Sequence, residues 1–334
     1  MKYRKLGKTG AKVSEVGLGT WQLGSADWGQ VSEAEALRIL HRSVELGVNF
    51  LDTADVYGMG LSERTIGKFL KETRETVYVA TKVGRRPWVE LGLKWPERVT
   101  LDMARRATEL SRRNLGVDAV FLQQWHCLPT EEYRRGEVFD HLETLKCEGL
   151  IQHWGCSVES VAEAQLCMAH PGCATLQAIY NIFRQKLTDQ LLPQARQDEV
   201  GILARVPLAS GLLTGRFRSG HPFPPADHRH YNADGQVFNV GETFAGIPFE
   251  TGVQLAEKAK AILDPQPGET MAQVALRWIL DHDAVSAVIP GASNVGQAES
   301  NASASGLLPL GEATHRQLRE LYESEIAPVI RGPY

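Results

Sequence analysis

Short apolar runs alternate with amphipathic stretches along almost the whole chain. "VSEVGLG" (13–19) precedes "SEAEALRILHRSVELG", "NFLDTA" precedes "SERTIGKFLKE", and "VYVATK" precedes "TLDMARRATELSRRNLG". "AVFLQQW", "IQHWGCS", "TLQAIY" and "GILARV" continue the series, and "AVSAVIPG" closes it ahead of "NVGQAESNASA". Runs this short, apolar at consecutive positions, suit parallel strands covered by helices on both faces. Eight strand-then-helix units in succession predict an α/β fold, a (β/α)8 TIM barrel forming one domain over 1–334, rather than an open doubly wound sheet. "YRKLGKTGAKVS" predicts an N-terminal β-hairpin turning at Lys8-Thr9-Gly10, and Ser32 with Glu35 predicts a capping box at the first helix.

One segment breaks the rhythm. Residues 217–250 carry five phenylalanines and one tyrosine but no regular period. A loop of this length in a compact enzyme is commonly a lid, and its aromatic content favours one that packs over the C-terminal face of the barrel when something binds. Asp227, His228 and His230 lie together in it, but no second spaced set of ligands accompanies them, so the histidines read as surface residues and no metal is expected.

Composition narrows the function classes. With 43 % hydrophobic and 23 % charged residues the chain is an ordinary globular one, and its net charge of −4 offers no general attraction to nucleic acid or an acidic membrane. Five cysteines, an odd number with no C-x-x-C pair, fit a reducing compartment. No apolar run approaches a membrane span and the N-terminus lacks an apolar leader core, so a cytoplasmic location is expected.

The strand ends carry the candidate chemistry, because in a barrel they gather around one pocket. Asp52 follows the second strand, Lys82 ends "VYVATK", His126 ends "AVFLQQWH", and Tyr57 lies in the loop after Asp52. A phenol with an ordinary pKa near 10 is a poor acid at neutral pH. An ammonium ~4 Å away offers roughly 4 kcal/mol of gross attraction to the phenolate, enough to lower that pKa by up to about three units. Asp52 would orient Lys82, and His126 would donate a hydrogen bond to a substrate carbonyl. The set is an acid–base site for a carbonyl/alcohol pair that needs a hydride source.

These motifs resemble the aldo-keto reductase superfamily. "FLDTADVYGMGLSERTIGKFL" is similar to its most specific motif, and Asp52, Tyr57, Lys82 and His126 match its catalytic tetrad in order and spacing. "PLASGLLTGRF" resembles the bacterial general-stress-protein and aryl-alcohol-dehydrogenase-like branch. The resemblance implies an NAD(P)H-dependent oxidoreductase that reversibly reduces an aldehyde or ketone to an alcohol, with Tyr57 as general acid/base. It also implies a nicotinamide cofactor held without a Rossmann motif. Gly19, Thr20 and Trp21 match the loop beside the nicotinamide ribose, near Asp52, and Ser157 and Gln177 match the carboxamide contacts. Val158 stands where the family commonly has asparagine.

Arg205 falls where relatives stack an aromatic ring on the nicotinamide; it either stacks likewise or pairs with a carboxylate. Leu208, Ser210, Gly211 and Arg216 match the loop across the pyrophosphate, with Arg216 as counter-charge. Gly291, Ser293, Gln297 and Asn301 match the adenosine-phosphate end. The family favours NADP(H); NAD(H) is the alternative, because residues 290–301 contain no lysine or arginine. Trp21, Trp28, Trp125 and Phe183 are candidate substrate-binding residues, and loops 22–31, 83–98 and 217–250 would set specificity. The expected partner is a small carbonyl or alcohol. Two other functions share the motif, an NAD-dependent alcohol or sugar dehydrogenase working oxidatively and a non-catalytic nicotinamide-binding accessory subunit.

Overall fold

The computed structural model describes residues 1–24, 27–29, 31–85 and 98–334. Most of loop 83–98 therefore lies outside the described residues, as do Ser25, Ala26 and Gln30 of loop 22–31. Strands β1 (Tyr3–Lys5) and β2 (Lys12–Ser14) form the expected hairpin, with Tyr3 opposite Ser14 and Lys5 opposite Lys12. Gly10 ends its turn at φ 75°, a conformation that glycine adopts without steric cost.

Eight parallel strands follow in chain order: β3 (Leu18–Gly19), β4 (Phe50–Asp52), β5 (Tyr78–Val83), β6 (Val120–His126), β7 (Ile151–Ser157), β8 (Cys173–Ile179), β9 (Gly201–Arg205) and β10 (Val285–Val288). Each pairs with the next, and bridges from Val16 to Val288 and from Gly19 to Gly291 bring the last strand back to the first. The fold is a (β/α)8 barrel, as the pattern predicts. The apolar stretch 13–19 is divided, Lys12–Ser14 going to the hairpin and Leu18–Gly19 to the barrel.

Strand alternation sorts the side chains into two cores. Phe50, Ala80, Leu122, Leu203 and Ala287 form the inner cluster, and Leu6 and Val13 of the hairpin join it, so the hairpin plugs the end of the barrel where the strands begin. Residues of the other parity, among them Leu51, Val79, Trp125, Leu176 and Val288, pack with the helices in a larger outer core. The helix Glu33–Glu45 begins as expected at Ser32, whose hydroxyl accepts from Glu35 N, but the box is half made. The Glu35 carboxylate instead faces Val295 N at 3.3 Å and Arg38 at 2.9 Å. No helix among the described residues is long and apolar enough to cross a membrane.

Residues 217–250 depart from the expectation of a lid that packs only on binding. They form a short helix (His228–Tyr231) and two 3-10 turns, and Phe217, Phe223, Phe244 and Phe249 make one aromatic cluster with centroids 5.0–5.7 Å apart. His228 is fully buried against Trp28 at 4.3 Å, so it is not a surface histidine, whereas His230 is exposed.

Candidate active site

The parity that sends Phe50, Ala80 and Leu122 inward also sends Asp52, Lys82, Gln124 and His126 inward, one or two layers closer to the mouth. Asp52 and Lys82 are almost wholly buried, and their side chains meet at 2.6 Å. Lys82 Nζ also donates to Thr53 O at 2.8 Å and lies 3.4 Å from Tyr57 Oη. Asp52 Oδ1 accepts from Gln177 Nε2 at 2.7 Å and faces Gln124 Nε2 at 3.4 Å. Tyr57 sits in a tight turn in which Gly58, at φ 57°, presses so closely on Gly24 that a Cβ would stand 1.5 Å from its carbonyl oxygen. The Tyr57 ring lies nearly parallel to Trp21, centroids 5.8 Å apart, and edge-on to His126 at 5.9 Å.

Burial governs the protonation states. Desolvation holds the Tyr57 phenol above its ordinary value; Lys82 opposes this, and the Asp52 and Glu242 carboxylates reinforce it. The sequence expectation of a lowered phenol pKa is therefore corrected: Lys82 offsets only part of the cost of a half-buried phenolate. Burial pulls the Lys82 ammonium down, but Asp52 and the phenol more than compensate, so it stays charged. His126 is held well below the ordinary histidine value by burial and then by Arg85, Lys82 and Arg205, so its imidazole is neutral. Its Nδ1 is buried without a hydrogen-bond partner among the described residues. At neutral pH the site presents a protonated phenol, a charged amine and a neutral imidazole, a set built to give one proton and one hydrogen bond to an oxygen.

With that geometry in view, a model of the aldo/keto reductase family matches residues 15–323 of the chain. The chain belongs to the aldo/keto reductase family. It is an oxidoreductase of that fold, 28 % identical to aldo-keto reductase YhdN of Bacillus subtilis over 344 residues, covering 100 % of this chain and 97 % of the relative. Among solved structures it resembles the holo form of aldo-keto reductase AKR11C1 from Bacillus halodurans, with TM-score 0.76, 28 % identity and 96 % of both chains covered. It also resembles an aldo-keto reductase from Klebsiella pneumoniae in complex with NADPH, with TM-score 0.68, 25 % identity and 96 % of both chains covered.

In this aldo/keto reductase three of the expected cofactor residues, Gly19, Thr20 and Gln177, lie directly against Asp52. Gly19 pairs with Asp52 across β3 and β4 and bridges to Gly291, while Thr20 Oγ1 donates to Asp52 O at 2.9 Å. Ser157, buried at the end of β7, has its hydroxyl 3.4 Å from Cys127 Sγ, a weak partner that leaves it open to another acceptor or donor. Gln177 has its amide nitrogen engaged by Asp52. Arg205 takes the pairing alternative: it meets Glu242 at 3.3 Å and donates to Val158 O at 3.2 Å.

Beyond Leu208 the chain turns through Ser210 (φ 53°) and Gly211 (φ 100°) to Arg216, which is exposed and has no ion pair among the described residues. The Ser210 hydroxyl is occupied, donating to Glu242 O and accepting from Phe244 N, both at 3.0 Å. At the far end Gln297 Oε1 accepts from Ser293 N at 2.8 Å and Asn301 Nδ2 donates to Gly291 O at 3.1 Å. An uncommitted guanidinium beside a glycine turn, and a buried serine at the strand end, fit a dinucleotide laid across these strands.

The four substrate candidates separate into two pairs. Trp21 and Trp28 meet edge to face at 5.6 Å beside Tyr57. Trp125 and Phe183 are fully buried in the outer core, and Trp125 Nε1 donates to Val138 O of the helix Glu137–Cys147 at 2.9 Å. These two are corrected to structural residues. Trp125 precedes the inward His126, and alternation turns it outward.

Sequence reading missed the charged ring above the tetrad. Arg85, just past β5, bridges Glu159 and Glu242, each at 2.7 Å, and Asn239 Nδ2 donates to Glu159 Oε2 at 2.7 Å. The two arginines hold the buried Glu242 carboxyl down to about 2 against the burial that would raise it. Nothing in the spacing of residues 85, 159, 205 and 242 marks this cluster; only the barrel brings them together.

Proposed function

We propose that the chain, acting as one domain over 1–334, reversibly reduces an aldehyde or ketone to the alcohol, with Tyr57 as the proton donor. The observation that carries this is Lys82 Nζ, held at 2.6 Å by Asp52 and 3.4 Å from Tyr57 Oη at the mouth of the barrel. A reduced nicotinamide dinucleotide, when bound, supplies the hydride for the carbonyl carbon. Tyr57 gives its proton to the carbonyl oxygen, and Lys82 stabilises the phenolate left behind. Asp52 keeps Lys82 charged and aimed. His126, neutral, donates an N–H to the same oxygen and fixes its place, while Trp21 and Trp28 form an aromatic wall. In the oxidative direction Tyr57, as phenolate, takes the alcohol proton. Free cysteines throughout support a reducing, cytoplasmic setting.

The NADPH complex of the Klebsiella relative supports NADP(H) as cofactor. NAD(H) is favoured by a different observation: the first amide of the helix Val295–Ser303 faces the Glu35 carboxylate at 3.3 Å, a charge that would repel a 2′-phosphate there. Quenching of tryptophan fluorescence by NADH and NADPH in parallel separates the two. For the chemistry, Tyr57→Phe is expected to lower carbonyl reduction by at least ~1,000-fold with dinucleotide affinity within about threefold of wild type. Wild-type turnover in that variant would remove Tyr57 from the role.

A further inference from the structure

One carboxylate at the mouth is outside the tetrad yet connects to it. Asp27 lies in the loop after β3, where its Oδ2 accepts from Trp21 Nε1 at 2.9 Å and its Oδ1 accepts from Tyr231 Oη at 2.8 Å. Its backbone carbonyl accepts from His228 N at 3.0 Å. Trp21 in turn lies against Tyr57 at 5.8 Å with only 13° between the planes. Asp27 thus ties the 217–250 segment to the ring that backs the phenol, beside the direct contact of His228 with Trp21 at 5.0 Å.

We propose that Asp27 is a positioning residue for Tyr57, acting through Trp21 and locked in place by Tyr231 from the 217–250 segment. The inference rests on the reading of Tyr57 as proton donor. The turn that carries Tyr57 is fixed at the backbone, Tyr57 N donating to Ala54 O at 3.1 Å and Ser62 N to Tyr57 O at 3.3 Å, but these bonds leave the ring its side-chain rotations. The flat contact with Trp21 limits that ring's rotation and holds Oη at 3.4 Å from Lys82 Nζ. An indole on its own has freedom about two side-chain bonds. The hydrogen bond from Nε1 to the Asp27 carboxyl at 2.9 Å restrains both.

Phe238, from the same segment, meets the Trp21 ring at 6.0 Å and Tyr231 at 6.2 Å, so the segment closes around the indole from two sides. Misplacing a reacting group by about 1 Å can cost ~100-fold in rate. Asp27 therefore contributes chiefly to kcat, and to KM only through the part Trp21 plays in the aromatic wall.

The test uses the full chain with 4-nitrobenzaldehyde and NADPH or NADH, together with near-ultraviolet circular dichroism. Trp21→Phe first identifies the ellipticity band belonging to that indole. Asp27→Ala is expected to weaken the same band and to lower kcat by ~30-fold or more, with KM within about threefold and the melting temperature little changed. Asp27→Asn, whose amide oxygen still accepts from Trp21, is expected to recover most of both signals, and Tyr231→Phe to reproduce part of the loss. Retention of the Trp21 band in Asp27→Ala overturns the proposal. So does a kcat within twofold of wild type, or a change confined to KM, when Tyr57→Phe is inactive. Wild-type turnover in Tyr57→Phe is a separate result: it removes the proton-donor reading beneath the proposal, whatever Asp27→Ala does.

Discussion

Replacing Lys82 with methionine keeps the length of the side chain and removes its charge, which isolates the electrostatic part of the site. At the observed 3.4 Å between Nζ and Tyr57 Oη, and an effective dielectric of ~20, the ammonium–phenolate attraction is about 5 kcal/mol gross. That equals between three and four decades in an equilibrium or a rate. Burial already holds the phenol above its ordinary pKa, with Lys82 the main opposing influence, so its loss moves the phenol further up and leaves Asp52 close by with the opposite effect. Asp52 itself keeps Gln177 as a donor at 2.7 Å, so the carboxylate is not stranded.

Aldehyde reduction followed at 340 nm in single turnover is therefore expected to slow by ~100- to 3,000-fold in Lys82→Met, with dinucleotide binding by tryptophan quenching within about threefold. In alcohol oxidation, the rate rises with pH as the phenolate forms, and in the variant that rise is displaced to higher pH. A single-turnover rate within tenfold of wild type would refute the reasoning, because it would mean that the charge 3.4 Å from Oη does not act on the proton transfer.

Glu242→Gln strands the buried Arg205 while Arg85 keeps Glu159, and breaking a buried pair costs about 3–5 kcal/mol. With an unfolding entropy of ~2.1 cal/mol/K per residue over 334 residues, the melting temperature at pH 7.5 is expected to fall by about 4–7 °C in scanning calorimetry. The Glu242 carboxyl is depressed in the fold from 4.5 to about 2, so its stabilisation is complete above pH 4.5 and is lost as the pH falls toward 2. The difference between wild type and Glu242→Gln should shrink over that interval; a constant gap would count against the ion-pair account. Trp125→Phe removes the donor to Val138 O in the outer core and is expected to cost ~1–3 kcal/mol of stability with kcat and KM within about twofold. A rise in KM of tenfold or more would return Trp125 to the substrate wall.

The chain's own pattern determined the barrel and three of its side chains, for a local reason. Parallel strands buried on both faces must be short and apolar, their helices must repeat with period 3.6, and residues at strand ends must face one mouth. "NFLDTA", "VYVATK" and "AVFLQQWH" thus bring Asp52, Lys82 and His126 to one mouth. The same alternation, applied strictly, would also have turned Trp125 away from the site, since it precedes an inward residue. Tertiary structure alone decided the rest. The phenol's pKa depends on how much water its folded surroundings, Trp21 and His126 among them, exclude, and burial there outweighs the lysine that motif spacing brings near. Arg85, Glu159, Arg205 and Glu242 come from four separated segments, as do Asp27 with Tyr231, and such contacts have no period in the sequence. Periodicity reports which face a residue occupies; only closure of the barrel sets which faces meet, and how dry the space between them is.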